Sequence, residues 1–76
     1  MCTIEVAPAP GGWQVTLPLV ANAMFYRSGR AAEATARTLA ARLARRGLTS
    51  RLKIYLRDGS LAAEAPVVGE PFAQAA

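Results

Sequence analysis

The stretch RLKIYLRDGSLAAEA, residues 51–65, decides the fold. Asp58-Gly59 is a turn pair between segments 51–57 and 60–65, each of which alternates at the period of a strand. A two-residue type I′ turn there sets Leu52, Ile54 and Leu56 opposite Ala65, Ala63 and Leu61 on an inward face. The same register places Lys53 across from Glu64 on the outward face, so both faces agree on one pairing. Arg51, Tyr55 and Arg57 share that outward face, with Ser60 and Ala62 as small neighbours.

Upstream, Gly47 marks the stop of a helix predicted from about Gly29 to Arg46, with Ser28 as its N-cap. At about 100° per residue, Ala32, Ala36, Leu39 and Leu43 make one apolar stripe. Arg30, Arg37 and Arg45 lie broadly opposite, together with Ala34 and Ala41.

Further upstream, Ile4, Val6 and Pro8 alternate with Thr3, Glu5 and Ala7, and Trp13, Val15 and Leu17 alternate with Gln14 and Thr16. Joined as a hairpin, the two segments bring their apolar faces together. A two-residue Gly11-Gly12 loop would set Pro10, which has no N–H, in a hydrogen-bonded pair. A four-residue loop from Pro10 to Trp13 fits better: Pro8 becomes non-hydrogen-bonded, and Pro10-Gly11 matches the centre of a type II turn. Pro8 and Pro10 predict an edge position for this first strand. Pro18 ends the second strand or forces it to an edge, and Leu19 to Arg27 has no clean period. Within that segment Phe25 is the best packing anchor, and Tyr26 is placed to cover the helix entrance. Trp13 reads as a core or sheet-edge anchor.

The expected architecture is therefore α+β in the order β-β-α-β-β, a four-stranded antiparallel sheet with one helix packed on one face. Ala32, Ala36, Leu39 and Leu43 should meet Val6, Val15, Leu17, Leu52, Ile54 and Leu56. A single compact domain spans 1–66, and 67–76 read as a flexible C-terminal tail in which Val67, Val68 and Phe72 are available to cover an apolar edge.

The Gly12-Trp13-x-Val15 hairpin, the Ala31-to-Ala44 helix ending at Gly47, and Arg57-Asp58-Gly59-Ser60 in the closing hairpin occur in an order that resembles the small bacterial domain of unknown function catalogued as family number 2188. The resemblance spans about residues 3 to 65 and implies a compact β-β-α-β-β unit without an assigned activity. That family often carries a histidine in the first strand, absent here, and a Thr or Ser before the helix, which Ser28 matches.

Composition narrows the function. In 76 residues there are 17 alanines but only 15 Leu, Ile and Val residues, enough for one domain with a thin core. With no histidine, one cysteine and five acidic residues, the usual ligands for a transition metal are scarce. Cys2 has no disulfide partner, and no histidine orients Ser28 or activates Cys2. Asp58 sits where the turn demands it, Glu5, Glu33 and Glu64 form no predictable carboxylate pair, and the glycines match no phosphate-binding loop. A non-enzymatic protein with no catalytic, metal or cofactor residues is expected. No stretch of 18 apolar residues offers a membrane span, and no signal peptide is evident, so a cytoplasmic location is expected.

Charge supplies the functional clue. All nine basic residues lie between Arg27 and Arg57, with Glu33 the only acid among them, in a chain of net charge +4. Arg51, Lys53, Tyr55 and Arg57 on an open sheet face, extended by Arg42, Arg45 and Arg46 at the helix end, combine phosphate-binding cations with a stacking ring. The same residues have structural roles open to them: arginines favour a helix C-terminus, and Lys53 has Glu64 opposite. A thin core, an uncovered sheet and accessible edges point to a protein-interaction or self-assembly module, with a homodimer or another protein as partner. A nucleic-acid-binding module using the basic surface is the alternative.

Overall fold

The computed structural model describes residues 2–70. In chain order it contains β1 (Cys2–Ala9), β2 (Gly12–Thr16), β3 (Met24–Tyr26), α1 (Gly29–Arg45), β4 (Ser50–Tyr55) and β5 (Leu61–Val67). The strands form one five-stranded sheet in the order β3-β2-β1-β4-β5. This is the expected α+β arrangement of one helix on one sheet, with two corrections: there is a fifth strand, and the sheet is mixed. β1 and β4 run parallel from Cys2↔Ser50 to Val6↔Ile54, while the other neighbours are antiparallel. The helical crossover between β3 and β4 returns the chain in the direction of β1, which a tight turn could not do.

The first strand is therefore central, not an edge. Pairing with β4 stops at Val6, so Pro8 lies beyond that ladder. The β1–β2 register, Val6↔Val15 and Ala9↔Gly12, leaves Pro10 and Gly11 as a two-residue loop, with Gly11 at φ +79°. The type II turn chemistry at Pro10-Gly11 is as expected, but the loop is two residues shorter and Gly12 belongs to the strand. A Cβ on Gly12 would collide with the Tyr26 carbonyl oxygen of neighbouring β3. β3 escapes a pattern-based reading because three residues carry no usable period. Its Met24 and Tyr26 pack on the core, whereas Phe25 between them is 68% exposed, the reverse of the expected anchor.

Both helix ends follow the sequence. The Ser28 Oγ accepts the Ala31 N–H at 3.1 Å. At the other end Gly47, at φ +82°, donates to the Ala44 carbonyl, and Leu48 donates to Leu43, both at 2.9 Å. This pair of bonds is a Schellman termination. The buried face differs from the expected stripe: Ala32, Ala36, Ala40 and Ala44 are buried, and Leu39 and Leu43 sit half-buried beside them. An all-alanine ridge at i, i+4 lets the helix lie close to Ile4, Val6, Val15, Leu17 and Leu52.

The β4–β5 hairpin keeps the expected pairs Leu52↔Ala65, Lys53↔Glu64 and Ile54↔Ala63. Beyond Ile54 the register shifts and Tyr55 pairs with Leu61. No non-glycine residue among those described has positive φ, so Asp58 cannot occupy a type I′ turn. Instead the Leu56 N–H donates to the Ser60 carbonyl at 2.8 Å across a three-residue loop, with Gly59 at φ +89°. The shift moves Leu61 to the Tyr55 side of the sheet. Leu56 is 51% exposed and leaves the expected core, whereas Ile54 remains packed at its margin.

β5 includes Val67, and the following residues are tied down: Gly69 donates to Thr49 Oγ1 at 2.9 Å and Glu70 to the Ala44 carbonyl at 2.8 Å. The expected tail boundary at 67 thus falls inside a strand. Phe72 and the rest of the expected tail beyond Glu70 lie outside the described residues.

Candidate functional site

Parallel pairing brings Glu5 beside Lys53, and antiparallel pairing brings Glu64 to its other side. On the face away from the helix, Arg51 Nη1 donates to Glu64 Oε2 at 3.2 Å, and Lys53 Nζ lies 3.9 Å from the same oxygen. The Tyr55 hydroxyl donates to Glu5 Oε2 at 3.5 Å, at the limit of hydrogen bonding. Two cations thus face two carboxylates, so this part of the sheet has little net field for a polyanion. With side chains 31–39% exposed and so reached by solvent, each of these ion pairs contributes only about 0–1 kcal/mol to stability.

Arg57 does not join that face. Its Nη1 donates to the Gly12 carbonyl at 3.1 Å, and its guanidinium stands 5.0 Å from the Trp13 ring centroid. The three-residue loop takes Arg57 out of strand alternation and lets it reach across to β2. Arg42, Arg45 and Arg46 are exposed around the end of α1, where they complement the helix dipole. The seven residues expected to share a basic surface therefore separate into a neutralised sheet cluster, an arginine on Trp13 and a trio at the helix end.

The more prominent surface is β5. Every residue from Leu61 to Pro66 is exposed, although Ala63 and Ala65 lie on the same side as buried Leu52 and half-buried Ile54. The helix rests mainly over β1, β2 and β4, with a smaller contact to β5, and Ala63 and Ala65 stay exposed. The sheet's other edge, β3, has three residues against seven in β5. The signal for this exposure was the change from Leu and Ile on β4 to alanine on β5, which leaves the second strand little apolar volume to bury.

Three hollows accompany these surfaces, one of about 350 Å³ being lined by Thr3, Glu5, Thr16, Leu17 and Pro18. One of about 420 Å³ is lined by Cys2, Pro18, Leu19, Gly47, Leu48 and Thr49, and another of about 280 Å³ lies by the β1–β2 turn. Among the described residues no group of three or more His, Cys, Asp or Glu is placed to hold a metal ion, and no helix is long and apolar enough to cross a membrane.

No family model, curated protein or solved structure matches this chain.

Proposed function

We propose that this chain is a non-enzymatic assembly module that associates with a second copy of itself through β5. The observation supporting this reading is a seven-residue edge strand whose residues Leu61–Pro66 are exposed on both faces. The bulge after Ile54 and the missing N–H of Pro66 restrict strand-to-strand pairing to the middle of β5. The helix-side surface of Ala63 and Ala65 supplies the remaining contact, where a second copy covers alanines that α1 leaves bare. For a thin-cored domain, binding in the folded state adds stability by mass action.

Ala63→Arg and Ala65→Arg place a charge on this surface without entering the core. Sedimentation should give weaker association for both, with the secondary structure of the wild type retained. Association equal to wild type in both variants would refute the use of β5.

A further inference from the structure

We propose that the β3 end of the sheet binds single-stranded nucleic acid, with one base stacked on Phe25 and an adjoining phosphate on Arg27. The site is separate from β5, which forms the opposite edge of the sheet, and stands independently of self-association. Phe25 is 68% exposed, and its neighbours Met24 and Tyr26 fill the core-facing positions of β3. The ring is therefore presented outward rather than used by the fold. It lines a hollow of about 280 Å³ together with Pro10, Gly12, Trp13, Tyr26 and Arg27. That volume lies just under the ~300–1,000 Å³ of small-molecule pockets and suits one planar ring rather than an enclosed cofactor.

Positive charge converges on the same end. Arg27 lines the hollow, and Arg57 is fixed over Trp13 by its bond to the Gly12 carbonyl. No described carboxylate lines the hollow, and Asp58, next to Arg57 in sequence, has its Oδ1 engaged by Ser60. An exposed aromatic ring beside the Arg27 guanidinium offers base stacking and phosphate neutralisation together, with Arg57 adding positive charge at the same end of the sheet. The hollow presents no arrangement of side-chain amides or carboxylates for reading base edges, so binding should show little sequence preference.

Trp13 is the only tryptophan in the chain, and its emission reports on this hollow. The full chain should be titrated with a short oligothymidylate at low and moderate salt, alongside polyphosphate and a proline-rich peptide. The expected result is a saturable change in Trp13 emission with oligothymidylate that weakens as salt rises. Phe25→Ala should weaken binding roughly 5- to 100-fold, and Arg27→Gln should reduce the salt slope by about one. Circular dichroism checks that each variant is folded, and both substitutions are at exposed positions. Absence of an oligothymidylate response would overturn the proposal, as would polyphosphate binding as tightly with no dependence on Phe25. A response confined to the proline-rich peptide would overturn it in favour of a peptide groove.

Discussion

The Glu70 amide donates to the Ala44 carbonyl at 2.8 Å, joining the segment after β5 to the last turn of α1. That carbonyl also accepts the Gly47 N–H, and Gly69 packs against the Gly47 carbonyl and the Leu48 nitrogen. The open strand β5 is thus held at its far end by a strap across the helix terminus. Gly69 is required there for space. Gly69→Ala should destabilise the fold by about 1–3 kcal/mol through overpacking, seen as a lower urea midpoint; an unchanged midpoint would contradict the close approach.

The alanine ridge of α1 reverses the usual expectation about which core residues matter most. Ala40 is 1% exposed against the sheet, whereas Leu39 is half-buried at the margin. Ala40→Leu should cost about 1–3 kcal/mol, and Leu39→Ala should cost less than the ~2–5 kcal/mol of a fully buried leucine. Denaturant unfolding of both variants checks this, and a larger loss in Leu39→Ala would contradict the observed face.

Ser50 is fully buried in β4, and its Oγ has no hydrogen-bond partner. Leaving a buried polar group unsatisfied costs about 1–3 kcal/mol. Ser50→Ala should therefore match or exceed wild-type stability in thermal unfolding, while a marked loss would show that the hydroxyl is satisfied.

At the tip of the β4–β5 hairpin, the Ser60 hydroxyl and backbone N–H both donate to Asp58 Oδ1, at 2.6 and 2.9 Å. These bonds, the side-chain one first, hold the Asp58 carboxyl below its ordinary value of 3.8. Because the folded-state value is depressed, the stabilisation is complete above the unfolded value and is lost as pH falls below 3.8 through the folded value. An NMR titration of the Asp58 carboxyl should give a midpoint under 3.8; a midpoint at or above it would contradict the loop geometry.

Local chemistry was legible in the sequence wherever one segment carried its own signal. Ser28 and Gly47 fixed the helix ends, and matching alternation on both faces fixed Lys53 against Glu64. The β1–β4 pairing was not legible, since it joins residues almost fifty positions apart and nothing local encodes it. The same non-local pairing explains the candidate site. Arg51, Lys53 and Tyr55 were visible as a basic stretch, but Glu5 reaches them only through the parallel ladder. Arg57 left the group because a three-residue loop, 57–59, replaced the expected two-residue turn and took Arg57 out of the strand. The exposure of Phe25 was hidden because a three-residue strand has too short an alternation to read.

Solution mass against protein concentration tests self-association through β5 most directly, measured by light scattering at low and high salt. The chain should move from 8.0 kDa toward twice that mass as concentration rises, with little change on adding salt because the contact is chiefly apolar. A mass of 8.0 kDa at every concentration, or association that disappears with salt, would contradict it.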